Sequence, residues 1–170
     1  MGVGATKTYK LENDQDLVEF FLHKYEIDYI FEEFIQGQIV TFDGLADSQG
    51  QIVFTNSFAY YTGVMDTVNK DLDMYLYSLR EIPEDLKEMG AKVLKYFDVK
   101  ERFFHIEFFR LDDGSLVALE VNFRPPGGYS LDIINYGQDG DVYLEYAKLL
   151  TNGESSLKKP STLLFHLCRH

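Results

Sequence analysis

The stretch RFFHIEFFRLDDGSLVALEVNFR, residues 102–124, decides the fold that the sequence predicts. Two runs rich in aromatic and β-branched residues flank the turn signal DDGS, which is the pattern of an antiparallel β-hairpin. With Asp113 and Gly114 at the centre of a two-residue loop, Glu107 falls opposite Glu120. Because side chains alternate between the two faces of a strand, we expect one apolar and one polar face.

The register of this hairpin sorts its side chains into two sets, and a slip of one residue would bury charge. The polar face is predicted to pair Phe109 with Ala118, Glu107 with Glu120, His105 with Asn122, and Phe103 with Arg124. The opposite face is predicted to pair Phe108 with Leu119, Ile106 with Val121, and Phe104 with Phe123. We expect this second face to belong to the core.

The two opposed glutamates need an explanation, because directly opposed β-carbons lie only about 5 Å apart and like charges repel there. A divalent cation between them, one proton shared by the pair, or full solvation on an open sheet face would each allow the arrangement. The first is an oxygen-rich site that suits Mg²⁺ or Mn²⁺, completed by substrate phosphates. The sequence predicts Glu107, Glu120 and Asn122 as its ligands and leaves the other two arrangements open.

Other polar residues lie close to this predicted site. Arg124 follows on the same face, where a guanidinium suits a phosphate or a carboxylate, or an ion pair with a neighbouring acid. His105 is either a ligand or a hydrogen-bonding residue. The glycines of PPGG, residues 125–128, let backbone N–H groups approach an anion, or simply form a turn.

The composition excludes several classes of protein. The 170 residues carry a formal net charge of −12, which argues against binding to a nucleic-acid backbone. The single cysteine, Cys168, allows neither an internal disulfide nor a cysteine-rich zinc site. The sequence shows no signal-peptide pattern and no apolar run of membrane-spanning length. We expect a cytoplasmic protein with no nucleic-acid or membrane partner, and a homo-oligomer remains open.

Hydrophobic periodicity predicts the other elements of the chain. Helices are expected over 15–25, 83–98 and 141–153. Strands are expected over 29–47 with a break at Gly37, over 51–60, and from residue 161 onward. Residues 62–82 are predicted as a long loop with a short helical piece. Because the strands are joined mostly by hairpins, we expect an α+β fold, an antiparallel β-sheet with helices packed on one face.

The segments FHIEFFR, LEVNFRPPGG and YIFEEFIQG together resemble the ATP-grasp superfamily. Within that superfamily, the segments look like those of the large subunit of carbamoyl-phosphate synthetase and related carboxylate–amine ligases. It implies that Glu107, Glu120 and Asn122 hold the metal. It also implies a catalytic role for Arg124, which would face the phosphates or an acyl-phosphate intermediate. This ligand set agrees with the register that the turn geometry predicts independently.

The resemblance also implies contacts to a nucleotide. In EEFI, the backbone of Glu32 and Ile35 would bind the adenine ring, with Glu33 between them and Phe34 lining the adenine slot. In GVGA, Gly2 and Gly4 are similar to the end of a flexible loop that covers the phosphates. The cofactors implied are ATP and Mg²⁺ or Mn²⁺.

The resemblance divides the chain into two parts. Residues 1–25 would be a remnant of the small ATP-grasp subdomain and residues 26–170 the large subdomain, truncated at both ends. The reaction implied for the full-length protein joins a small-molecule carboxylate to an amine or another nucleophile through an acyl phosphate, and the fragment alone would be inactive. Two alternatives remain, a metal-dependent phosphohydrolase that uses the same carboxylates and a non-catalytic binding or assembly module of ATP-grasp ancestry.

Overall fold

The computed structural model describes residues 8–61 and 75–153, together with the backbone of a short strand over 166–168. The predictions made for Gly2 and Gly4, and for residues 62–74, therefore lie outside the described residues. Within the described ranges the elements, in chain order, are α1 Asp14–His23, β1 Gln38–Ala46, β2 Ile52–Asn56, β3 Phe58–Tyr60, β4 Tyr75–Ser78, α2 Glu84–Tyr96, β5 Arg102–Arg110, β6 Leu116–Asn122, α3 Ser130–Gln138, α4 Val142–Asn152 and β7 His166–Cys168.

The strands described form one seven-stranded sheet in the order β6-β5-β1-β3-β4-β7, with β2 pairing to β1 as well. Every pairing is antiparallel. Strands β1 and β5 form its centre and pair over nine residues, from Gln38 opposite Arg110 to Ala46 opposite Arg102. The predicted α+β class and antiparallel sheet are confirmed.

Helix α2 covers one face of this centre. Its apolar positions Leu86 and Leu94 pack in one cluster with Phe42 of β1 and Phe104 of β5. The helix approaches the sheet closely because Gly90 has no side chain, and a Cβ there would lie 2.1 Å from the Phe42 ring. This face is the apolar face that the hairpin pattern predicts as core.

Helices α3 and α4 pack against a second cluster on the opposite face, where Leu45 and Phe103 point. The Phe103 ring lies 4.9 Å from that of Tyr146 on α4. Helix α4 was predicted over 141–153, and in the structure the Asp141 carboxylate accepts hydrogen bonds from two backbone N–H groups of its first turn. Helix α3 was not predicted, because the residue before it, Tyr129, provides no side-chain cap.

Some predicted strands are wrong in extent. Residues 29–36 have no regular secondary structure, and β1 begins after Gly37. The single strand predicted over 51–60 is divided by Ser57 into β2 and β3, which pair with different parts of β1. Strand β4 lies where a loop was predicted. No helix among the described residues is long and apolar enough to span a membrane.

The turn of the hairpin differs from the predicted turn, yet the pairing of the strands at the end away from the turn agrees with the predicted register. The loop has three residues, with Gly114 at φ 86°, and the Leu111 N–H donates to the Ser115 carbonyl at 3.0 Å. Near the turn Phe108 therefore faces Ala118, where the sequence predicted Leu119. A β-bulge that leaves Leu119 unpaired shifts the pairing back by one residue.

Beyond the bulge, Glu107 faces Glu120 and His105 faces Asn122, as the sequence predicts. The ladder ends there, so the predicted pairing of Phe103 with Arg124 is not formed. Two one-residue differences, a longer loop and a bulge, thus cancel before the register reaches the two glutamates.

Candidate functional site

Three adjacent strands place polar side chains on one face of the sheet, opposite the face that α2 covers. On β1 and β5, Asp43 lies opposite His105 and Thr41 lies opposite Glu107. On β5 and β6, Glu107 lies opposite Glu120. Because alternate residues share a face, these strands bring the side chains into one row across the sheet.

A chain of hydrogen bonds runs through the buried part of this row. His105 is 2.5 Å from Asp43 between Nδ1 and Oδ1, and 2.9 Å from Glu107 between Nε2 and Oε1. The Thr41 hydroxyl donates to the other oxygen of Asp43 and accepts from the Phe58 N–H at 2.9 Å. Thr41 and Asp43 have no exposed surface. The polar face of β5 is therefore interior, not an open solvated surface.

The charges in this chain depend on one another. Burial raises the pKa of Asp43, and its hydrogen bond and charge interaction with His105 oppose that rise. Burial by itself would lower the pKa of His105, but the hydrogen bonds to Asp43 and Glu107 outweigh it and raise the pKa to about 9. The two ring nitrogens of His105 thus link the side chains of Asp43 and Glu107, and Asp43 and His105 each shift the pKa of the other.

The row changes from buried to exposed between the two opposed glutamates. Glu107 is 9% exposed, whereas Glu120 is exposed to solvent. Asn122, two residues after Glu120, is partly buried, and its Nδ2 has no hydrogen-bond partner in the described part of the chain. Two carboxylates on opposed strands, with an amide oxygen available from Asn122 on the same strand as Glu120, are the kinds of ligand that an oxygen-rich divalent cation site uses.

Glu107 and Glu120 alone cannot complete the coordination of a metal ion, so other oxygen ligands are needed. Among the described residues, no group of three or more His, Cys, Asp or Glu side chains is arranged to hold a metal ion. A cation between Glu107 and Glu120 would therefore take the amide of Asn122 and oxygens of a ligand or water. This is the usual coordination of Mg²⁺, which is bound through one or two carboxylates and substrate phosphates.

Sequence reasoning missed Thr41, Asp43 and Tyr60. Tyr60 lies on β3, where burial raises the pKa of its phenol and the charges of Glu107, Asp43 and Glu120 add to the rise. The phenol is therefore a protonated donor in the field of three carboxylates. A signal for two of these residues exists in the sequence, because Thr41 and Asp43 alternate with apolar residues as Glu120 and Asn122 do.

The predicted adenine-binding segment lies outside the sheet. Glu32, Glu33 and Phe34 are exposed and Ile35 is half-buried, in the stretch that leads into β1. The Lys10 Nζ lies 4.4 Å from the centre of the Phe34 ring, a cation–π contact. The structure thus places this segment and the carboxylate row on separate parts of the chain.

An aromatic cluster holds the stretch before β1 against α1. The ring of Phe20, the only buried side chain of α1, lies 5.0 Å from that of Tyr29 and 5.5 Å from that of Phe31. The Tyr9 ring lies 5.1 Å from that of Phe20 and 6.1 Å from that of Tyr29. These contacts position the residues that precede Glu32.

The predicted catalytic residue lies just beyond the row. Arg124 follows the last paired residue of β6 by two positions and is exposed. Its Nη1 donates to the Pro125 carbonyl at 2.9 Å. The guanidinium therefore has further donors, since five N–H groups are available and this hydrogen bond uses one.

The chain belongs to the ATP-grasp domain family, because the family model of the ATP-grasp domain matches residues 8–132, more than half of its length. The match includes the carboxylate row and the EEFI segment. A comparison with curated protein sequences finds no match.

Three solved structures with the same fold are a carboxylase ATPase subunit, a biotin carboxylase domain and a synthetase. The chain is similar to the phosphoribosylaminoimidazole carboxylase ATPase subunit of Aquifex aeolicus, with 20% identity, a TM-score of 0.56, and coverage of 78% of this chain and 39% of that one. It is similar to the biotin carboxylase domain of 2-oxoglutarate carboxylase from Hydrogenobacter thermophilus, with 16% identity, a TM-score of 0.53, and coverage of 76% and 28%.

A third similar structure is N5-carboxyaminoimidazole synthetase of Staphylococcus aureus, with 14% identity, a TM-score of 0.53, and coverage of 74% of this chain and 32% of that one. The Hydrogenobacter domain was solved with MgADP and bicarbonate. The chain thus spans less than half the length of each of these three structures.

Proposed function

We propose that this chain is the metal- and nucleotide-binding part of an ATP-dependent ligase that joins a small-molecule carboxylate to an amine or another nucleophile. The observation that carries the proposal is the opposition of Glu107 and Glu120, with the Asn122 amide group beside them. Opposed carboxylates on a sheet repel each other, and a divalent cation bound between them would remove that repulsion. Membership of the ATP-grasp family favours the cation and a nucleotide.

The roles of the residues follow from their chemistry. Glu107, Glu120 and Asn122 hold Mg²⁺ or Mn²⁺ which, when bound, neutralises charge on the phosphates of ATP. Arg124 donates to the phosphoryl group during transfer. The backbone of Glu32 and Ile35 binds the adenine ring, with Glu33 between them. Phe34 forms one side of the adenine slot, and Gly2 and Gly4 belong to a loop over the phosphates.

The proposed reaction has two steps. A carboxylate oxygen of the substrate attacks the γ-phosphorus of ATP, ADP leaves, and an acyl phosphate forms. The amine then attacks the acyl carbon, phosphate leaves, and the amine loses a proton. The protein's part is to position the reactants and stabilise charge, as in other phosphoryl transfers.

The proposal includes the division of the chain. Residues 1–25 belong to the small ATP-grasp subdomain and residues 26–170 to the large one. The chain is part of a longer protein that carries the complete activity. In this division the EEFI segment and the carboxylate row both lie in the large subdomain, where a nucleotide would bridge them.

Calorimetric titration of Mg–ADP into the 170-residue chain tests the proposal. Glu120→Gln removes one ligand charge, and Glu88→Gln on the exposed side of α2 is the matched control for that charge change. Binding that is lost in Glu120→Gln and kept in Glu88→Gln supports the site.

Two other outcomes would contradict the ligase proposal. Binding of Mg²⁺ and inorganic phosphate with no preference for ADP would favour a phosphohydrolase. Absence of binding in a folded wild-type chain would favour a non-catalytic module.

A further inference from the structure

The buried chain of hydrogen bonds behind Glu107 has no role in the ligand set proposed above. Asp43 is fully buried, and both ring nitrogens of His105 are hydrogen-bonded, one to Asp43 and one to Glu107. The hydrogen bond to Glu107 uses Oε1. Glu120, which faces Glu107 across the hairpin and is exposed, takes no part in the hydrogen bonds between Thr41, Asp43, His105 and Glu107.

We propose that Asp43 and His105 are positioning residues that hold the Glu107 carboxylate in one orientation for a divalent cation. The inference rests on the proposed function, since it concerns the metal ligand that function requires. A carboxylate can rotate about its terminal bond, whereas Mg²⁺ demands near-octahedral geometry. A hydrogen bond to one oxygen restricts that rotation and directs the other oxygen.

The position of Asp43 is itself fixed by hydrogen bonds on the side away from His105. The Thr41 hydroxyl donates to Asp43, and the Phe58 N–H donates to Thr41 at 2.9 Å. The series of hydrogen bonds thus runs from the backbone of β3, through Thr41 and Asp43 on β1, to the proposed metal ligand Glu107 on β5. Groups that orient a metal ligand in this way typically change metal affinity by about 10- to 100-fold when they are replaced.

A purely structural role does not require these residue types. On the other face of the same two strands, Phe42 lies directly opposite Ile106, and both are fully buried. Apolar residues therefore pack well between β1 and β5. Buried charged groups are often no more stabilising than well-packed apolar residues of similar size. The hydrogen-bonded residues Asp43 and His105 lie on the face of these two strands that carries Glu107, which favours a role tied to that carboxylate.

The test is the Mg²⁺ dependence of ADP binding, measured by calorimetry in the intact chain. The double variant Asp43→Asn with His105→Phe removes the N–H donors of the ring and neutralises the Asp43 carboxylate, so that only Glu107 loses its hydrogen-bond partner in the charged state. Thr41→Val is a milder variant that removes the donor to Asp43, together with the acceptor of the Phe58 N–H, and leaves both His105 and Asp43 in place. Asp85→Asn, on the exposed first turn of α2, is the control for loss of one carboxylate.

We expect the double variant to need about 10- to 100-fold more Mg²⁺, and Thr41→Val to show a smaller change in the same direction. ADP binding in EDTA should stay as in the wild type, which a general structural defect would not allow. Thermal unfolding shows whether each variant is folded.

A folded double variant with the Mg²⁺ dependence of the wild type would overturn the positioning role and leave the proposed function intact. If the wild type itself fails to bind Mg–ADP, the proposed function fails, and the positioning role fails with it. If the double variant does not fold, Thr41→Val decides, and an unchanged Mg²⁺ dependence there overturns the inference.

Discussion

Gly90 on α2 lies directly against the Phe42 ring on β1, so a Cβ at position 90 would come within 2.1 Å of that ring. Both residues are buried, Phe42 with 1% of its surface exposed. The close approach brings α2 onto the apolar face of β1 and β5. That face supports, from behind, the strands that carry the carboxylate row.

Gly90→Ala should destabilise the protein by about 1–2 kcal/mol. Alanine gains up to about 1 kcal/mol of helix propensity over glycine, but overpacking a close-packed core costs about 1–3 kcal/mol. The very short contact indicates a cost at the upper end of that range. Urea unfolding followed by circular dichroism measures the free energy of unfolding.

The matched control for Gly90→Ala is Ala91→Gly, at an exposed position of the same helix. It should cost up to about 1 kcal/mol from propensity alone. A Gly90→Ala protein more stable than the wild type would show that α2 can move away from Phe42 without loss.

The ion pair between Arg110 and Asp85 should make a pH-dependent contribution to stability. The Arg110 hydrogen bond lowers the pKa of Asp85 below its ordinary 3.8, and Arg110 Nη2 lies 3.0 Å from Asp85 Oδ1. A group whose pKa is lowered in the folded state stabilises above its unfolded pKa and loses that effect as the pH falls through the folded value.

We therefore expect the wild type to be more stable than Asp85→Asn at pH 7, by less than about 1 kcal/mol because the pair is exposed. The difference should vanish as the pH falls below 3.8. Urea titrations of both proteins between neutral and acid pH measure it. A difference that grows toward acid pH would contradict the assignment.

Gly114→Ala should destabilise the hairpin that carries the two glutamates. Gly114 has φ 86° in the three-residue loop, a conformation that alanine adopts at a cost of about 1 kcal/mol or more. A Cβ at position 114 would have no neighbour within 4 Å, so the cost comes from the backbone alone. Thermal unfolding monitored by circular dichroism measures the change.

Gly127→Ala is the control for that change. A Cβ at position 127 would also have no neighbour within 4 Å, and the residue does not have a positive φ. Its replacement should be neutral or slightly stabilising, since alanine restricts the unfolded chain. Equal effects at positions 114 and 127 would argue against the left-handed loop.

The hairpin also shows how far the sequence could predict this site. A two-residue turn at Asp113 and Gly114, supported by the alternation of apolar and polar residues, predicted that Glu107 faces Glu120, and the observed register has this pairing. It could not show that the loop is one residue longer and that Leu119 forms a bulge. The shifted register between the loop and the bulge affects only the apolar residues 116–118, where a shift leaves the pattern almost unchanged.

The buried half of the site was beyond the reach of local pattern. Asp43 and His105 lie 62 positions apart and meet only because β1 pairs with β5. Nothing in either strand alone identifies its partner, because the two strands are not joined by a hairpin. The sequence left open whether His105 is a ligand or a hydrogen-bonding residue, and the structure gives it hydrogen bonds to two carboxylates.

Glu120→Gln should stabilise the protein in the absence of metal and remove its response to Mg–ADP. Like charges directly opposite on a sheet cost about 0.2–1 kcal/mol, and glutamine removes that repulsion from Glu107. For a protein of this size, the gain corresponds to about 0.4–4 °C in the unfolding temperature. In saturating Mg–ADP the order should reverse, because only the wild type gains stability from the bound ligand.

Thermal unfolding in EDTA and in Mg–ADP, with Glu88→Gln beside it, measures both effects. Glu88 is exposed on α2, so its replacement should leave both temperatures close to those of the wild type. A Glu120→Gln protein less stable than the wild type in EDTA would mean that Glu120 stabilises the fold. The two glutamates would then be a structural feature of the hairpin, and their opposition would no longer support a cation site.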